Sequence, residues 1–170
     1  MKKFLLAVTV LVGVMTTVSA FAQTKVGVVD ADKVIYESAK GKKFLGDLDA
    51  FVKQKQGEIK AVVAEAQQVE KEYKTKLASL SEDKRAAMEK RLSDYQIQVK
   101  RMQDDAKREL SIKQKEGFEK FRKILEPIID QLAKEKNIDI VLSKAQSGVI
   151  YSSPAVDFTA DVIKKFDAQQ

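Results

Sequence analysis

Apolar residues recur at helical spacing from about Gly41 to about Ala133. The first run is Phe44, Leu48, Phe51, Ile59, Val62, Ala66, Val69, Tyr73, Leu77 and Leu80, with Lys55 standing in one gap. It takes ten steps over 36 residues, about 3.6 per step, which is the α-helical period. The second run is Met88, Leu92, Tyr95, Val99, Met102, Ala106, Leu110, Lys113, Gly117, Phe121, Leu125, Ile128 and Leu132, with non-apolar residues at two positions, Lys113 and Gly117. A single helix over this stretch would reach roughly 140 Å. The segment Ser79-Leu80-Ser81-Glu82-Asp83 offers a break, because Ser79 and Glu82 have capping-box spacing and acidic residues suit a first helical turn. The pattern therefore predicts two antiparallel helices of roughly 40 and 50 residues, each projecting about 60 Å, with the tip near 79–83. One continuous helix in an extended coiled coil is the alternative.

The flanks read differently. Thr24 to Val29 has the β-branched pattern of a short strand, and Asp30 or Asp32 can cap a short helix after it. Pro127 is expected to kink the second arm helix or to mark the start of a new one, and Asn137 is a stop signal. Ile138 to Ser143 and Val149 to Ser152 read as two strands of a β-hairpin about a turn at 145–148. Asp157 or Thr159 can cap a final helix that carries Phe158, Val162, Ile163 and Phe166. The expected fold class is α+β: a long antiparallel helical hairpin (41–133) projecting from a small β-sheet body (23–40 and 134–170). So small a body should be marginal alone, and its open strand edges predict assembly between subunits. Val26, Val28, Ile138, Ile140, Leu142, Val149 and Tyr151 are the candidate assembly residues.

At the N-terminus, Met1-Lys2-Lys3 precedes an apolar run from Phe4 to Met15 and the small-x-small site Ala20-Phe21-Ala22. This is the pattern of a secretory signal peptide over 1–22, cut before Gln23. Removing Lys2 and Lys3 leaves 29 basic against 25 acidic residues, a net charge of +4 in place of +6. Such a surplus favours anionic partners weakly and lacks the concentrated patch of a nucleic-acid binder.

The chain has no His and no Cys, which removes thiol chemistry and most nucleophile–base pairs and zinc sites. No catalytic residue, metal ligand or cofactor site is expected. Two surface features remain. Lys84-Arg85, Lys90-Arg91, Lys100-Arg101 and Lys107-Arg108 form recurrent basic doublets on the second helix. They read either as a solvated face or as an anion-attracting surface for lipopolysaccharide or phospholipid headgroups. Apolar residues also spread more widely than one seam requires. Val63, Met88, Tyr95, Met102 and Phe118 are the candidate contacts for apolar segments of another protein, since Met adapts its shape and Tyr joins an apolar body to a polar tip. Periodicity alone favours plain hairpin packing. Gly57 and Gly117, inside helices, are expected to soften the arms.

The order of these elements resembles the Skp/OmpH family of periplasmic chaperones across essentially the whole mature chain. The likeness is carried by Lys25-Val26-Gly27-Val28-Val29-Asp30, Asn137-Ile138-Asp139-Ile140-Val141-Leu142 and Asp157-Phe158-Thr159-Ala160-Asp161-Val162-Ile163. The resemblance implies a homotrimer joined through a β-barrel body. Its three helical arms would enclose a cavity that holds unfolded outer-membrane proteins in the periplasm without ATP. An envelope coiled-coil adaptor and a binder of anionic lipid surfaces are the competing readings.

Overall fold

The computed structural model describes residues 23–169. The signal-peptide reading of 1–22 lies outside them. The order is β1 (Val26–Val29), α1 (Ala31–Glu37), α2 (Ala39–Lys76), a 3-10 turn (Leu77–Ser79), α3 (Glu82–Glu135), β2 (Ile140–Ser143) and α4 (Thr159–Ala168). α2 and α3 contain 38 and 54 residues, about 57 and 81 Å long.

Local chemistry sets each boundary. The Asp30 carboxylate accepts from the Lys33 N–H and starts α1. Ser38 ends α1 and opens α2, its fully buried hydroxyl accepting from the Gly41 N–H at 3.0 Å. The Asp167 carboxylate, from α4, accepts from the Ala39 N–H at 3.0 Å, so a tertiary contact also caps α2. The arm turns where the sequence breaks, but the expected capping box is not the device. Ser81 is the N-cap of α3, and Ser79 donates its hydroxyl to the Lys76 carbonyl, finishing the previous helix.

At Pro127 the expectation of a new helix start is corrected, because α3 runs through it to Glu135. A proline inside a helix costs about 3 kcal/mol. Here buried neighbours on both sides, Leu125, Ile128 and Leu132, hold the helix in the core and offset that cost. Asn137 does stop the helix. It adopts φ 52°, its N–H bonds the Lys134 carbonyl, and the Ile138 N–H reaches back to Ala133, which together make a Schellman motif.

The sheet also departs from expectation. β2 does not fold back on residues 149–152. It pairs in parallel with β1, in the register Val26↔Ile140 to Val29↔Ser143. A parallel pair needs a long crossover, and the whole helical hairpin is that crossover. The far side of β1 is met by a bridge between Val28 and Asp157, with the Val28 N–H on the Val156 carbonyl at 2.8 Å. Val149, Ile150 and Tyr151 therefore lie outside the sheet, and Ile150 is fully exposed. Ile138 is likewise not in a strand; it packs from the helix cap against the core. Of the seven candidate assembly residues, the sheet gathers Val26, Val28, Ile140 and Leu142.

The core lies where the arm meets the body. Val29, Val34, Phe121, Leu125, Ile128, Leu132, Phe158, Val162 and Phe166 bury against one another there. Edge-to-face aromatic contacts run through it, from Phe44 to Phe121 (5.1 Å) and from Phe121 to Phe166 (5.5 Å), so α2, α3 and α4 share one aromatic chain. Gly117 is part of this joint. A Cβ there would lie 2.2 Å from two atoms of the Phe44 ring, so Gly117 is the slot that admits the ring. That replaces the expected softening role at this position. Gly57 has no atom within 4 Å of a built Cβ.

The two helical glycines should respond oppositely to alanine. Gly117→Ala overpacks the joint and should cost about 1–3 kcal/mol, whereas Gly57→Ala should gain about 0.5–1 kcal/mol. Thermal melting followed by circular dichroism reads both, and Phe44→Leu should rescue Gly117→Ala; equal shifts for the two glycines would contradict the slot.

A second expectation concerns acid. Burial pushes the Asp157 carboxyl up, but hydrogen bonds from the Thr159 hydroxyl and N–H outweigh it and hold the group below its ordinary value. A carboxyl depressed in the folded state stabilises above the unfolded value of about 3.8 and loses that contribution as pH falls through the lower folded value. Thr159→Val should therefore lower the melting temperature at pH 7, with the difference from the parent narrowing below about pH 4. A difference that stays constant with pH would exclude the carboxylate as its source.

Candidate functional site

The arm is a seam of two helices with little fully buried area. Leu48 and Val69 are buried, and the rest of the α2 stripe beyond Leu48 is half-buried or exposed. Two slender helices can hide only one narrow stripe each. Polar cross-links supplement it. Lys55 pairs with Glu109 at 3.1 Å, and its Nζ lies 5.4 Å from the Phe51 ring centre. Lys113 places its Nζ 5.2 Å from the same ring. Phe51 thus sits between a lysine of each helix, which accounts for both lysines in the stripes. Further out, Tyr95 donates to Glu65 at 3.3 Å, and Tyr73 donates to Glu89 near the tip. The hydrogen bond to Glu89 holds the Tyr73 phenol above its ordinary pKa, and the bond to Glu109 does the same for Lys55.

Along one flank of this seam runs a shallow groove. Its outer part, about 1060 Å³, has Tyr73, Leu92, Tyr95 and Val99 in its floor. Its inner part, about 500 Å³, continues it over Phe51, Ile59 and Leu110. Val63, Gln103 and Lys107 line both parts, so the two are contiguous. A separate groove at the arm root lies among Phe44, Leu48 and Phe121, edged by Lys40, Lys43, Lys113 and Lys120.

The expected site residues divide over this geometry. Val63 and Tyr95 line the flank groove. Met88 and Met102 are half-buried and line neither part of it. Phe118 is at the root, 45% exposed, with its ring 5.8 Å from Phe44. Of the basic doublets, Lys100 and Lys107 rim the groove. Arg91 stacks on the Tyr95 ring at 5.7 Å, and Arg108 is held by Asp105 at 2.8 Å. Lys84, Arg85, Lys90 and Arg101 are exposed elsewhere on α3. Adjacent residues on a helix point about 100° apart, so the doublets do not merge into one patch. Lys60, Ile59, Tyr73 and Val99 were absent from the expected contacts although they belong to the groove. The available signal was their spacing: 59 and 63, or 92, 95 and 99, fall on one helix face.

Among the described residues, no group of three or more Asp, Glu, His or Cys could hold a metal, and no helix is long and apolar enough to cross a membrane. The geometry offers contact surface in open grooves.

These features define a two-helix arm carried on a small parallel-sheet body. The sequence profile of the outer membrane protein family described as OmpH-like matches residues 25–166, and the chain belongs to that family. Its fold is that of a Caulobacter crescentus CB15 protein described as a candidate outer membrane chaperone (OmpH-like), with a TM-score of 0.77. That similarity covers 84% of this chain and 83% of the other at 17% identity. No curated protein matches the chain.

The cross-arm pair is open to direct measurement. A double-mutant cycle on Lys55→Ala and Glu109→Ala should give a favourable coupling that shrinks toward zero at about 1 M salt, where the screening length is about 3 Å. A coupling unchanged by salt would show that packing against Phe51, and not the ion pair, joins the arms there.

Proposed function

We propose that the protein is an ATP-independent holdase of the periplasm that binds unfolded outer-membrane β-barrel proteins and keeps them from aggregating. The observation that carries this reading is the flank groove, half-buried and apolar, rimmed by lysines, on an arm that extends about 57 Å. An unfolded barrel segment alternates apolar and polar side chains and aggregates through exposed strand edges. Many shallow contacts hold such a segment and release it without an energy source. Membership of the OmpH-like family supports the same role. The leader-like pattern of 1–22 supports export to the periplasm.

A cavity requires more than one arm, and three copies are the assembly that the family resemblance implies. The body supports association: Ile140, Ile150 and Tyr151 are 47%, 101% and 82% exposed, large apolar side chains that one chain leaves in water. β2 pairs only with β1 among the described residues, so its outer edge is available to a sister chain.

One light-scattering experiment tests both parts. Chain 23–170 should have the mass of three copies, and its addition should suppress the turbidity of a urea-diluted barrel protein, less well as salt rises. A monomer, or turbidity unaffected by stoichiometric protein, would defeat the reading.

A further inference from the structure

The flank groove has a length, a repeat and a charge, and together they select one kind of occupant. From Phe51 to Leu77 its floor follows about 39 Å of α2. An extended chain rises about 3.3 Å per residue, so that distance holds about 12 residues. A strand that crosses a bilayer in a β-barrel has about 9–11. The repeats agree locally. Ile59 and Val63, or Tyr73 and Leu77, are four residues apart on α2, about 6 Å along its axis. Every second side chain of a strand recurs at about 6.6 Å. At those positions one face of a strand laid along the groove can set an apolar side chain against each member of the pair; over the full 39 Å about six strand repeats face about seven helical turns, so the match is local.

The rim supplies the charge preference. Lys55 is bound by Glu109 and Lys74 by Glu70. Lys60, Lys100 and Lys107 are exposed, carry no ion pair among the described residues, and share the groove with one unpaired carboxylate, Asp104. The rim thus presents a surplus of cations to whatever lies on the floor.

We infer that the flank groove between Phe51 and Leu77 seats one extended, strand-length client segment of about 12 residues, with alternating apolar side chains and flanking carboxylates. This rests on the holdase reading above and adds where on the arm, in what conformation and with what charge the client is held. Val63 and Tyr95 then touch the client directly, whereas Met88, Met102 and Phe118 do not.

The test uses assembled chain 23–170 and a fluorescein-labelled peptide of about 12 residues in which Val or Tyr alternates with Asp or Ser. It is followed by anisotropy beside a peptide of the same composition with its apolar residues clustered. The alternating peptide should bind more tightly. The triple variant Lys60→Gln, Lys100→Gln and Lys107→Gln should weaken it about tenfold, since each exposed charge contact contributes little alone. The triple variant Lys42→Gln, Lys71→Gln and Lys115→Gln removes the same charge from arm positions outside the groove and should bind as the parent does. Circular dichroism checks that both variants remain folded. Equal weakening by both triples, or equal binding of the two peptides, would overturn the groove. The turbidity assay, run on the same samples, separates the two readings. A parent that holds no unfolded barrel protein sinks the holdase reading. A parent and groove variant that hold it equally well sink the groove alone.

Discussion

The root of the arm is organised where the Phe44 ring enters the space above Gly117. Two aromatic contacts of the joint adjoin that close approach. It brings α2 near enough to α3 for Phe44 to meet Phe121 edge-to-face, and Phe121 in turn meets Phe166 of α4. α4 then returns the contact through Asp167, whose carboxylate caps the N-terminus of α2. A side chain at 117 would lever the helices apart where the hydrophobic core of arm and body is shared. The root is therefore a packed joint, while most of the seam beyond it is half-exposed and cross-linked by polar pairs.

The arms were legible in the sequence because a 3.6-residue period sustained over some ninety positions leaves little alternative. The interruptions in that period could be located but not explained. Lys55 and Lys113 interrupt the apolar stripes because both cations lie against the Phe51 ring, and Gly117 does so because a ring fills its place. Each explanation needs the partner helix, which a single strip of sequence does not display. The expected β-hairpin failed for a related reason. Ile138–Ser143, a glycine-containing turn and Val149–Ser152 have the local signature of paired neighbours, yet the true partner of β2 is more than a hundred residues away in β1. Long-range pairing overrode a short-range signal. Of the two readings of Pro127, the new helix start failed for a similar reason: its local cost is real, and the helix continues through it with Leu125, Ile128 and Leu132 buried around it.

The contact surface was only partly legible. Composition narrowed the chemistry but named no position, since a chain without His or Cys has few ways to build a catalytic centre. Choosing among the half-exposed apolar residues required knowing which flank of each helix borders the other. Val63 and Tyr95 share a groove, while Met88, Met102 and Phe118, of the same chemical type, are placed elsewhere. The basic doublets illustrate the same point: consecutive residues turn away from one another, so a run of lysine and arginine letters scatters around the helix.

The buried joint sits at one end of a rod about 57 Å long. Any rotation there is geometrically amplified, and about 5° at the Phe44 pivot sweeps the far end through about 5 Å. A ring seated over a glycine thus governs where the far end of the rod lies. Small repacking at the pivot can then displace that end with no need for the rod itself to bend.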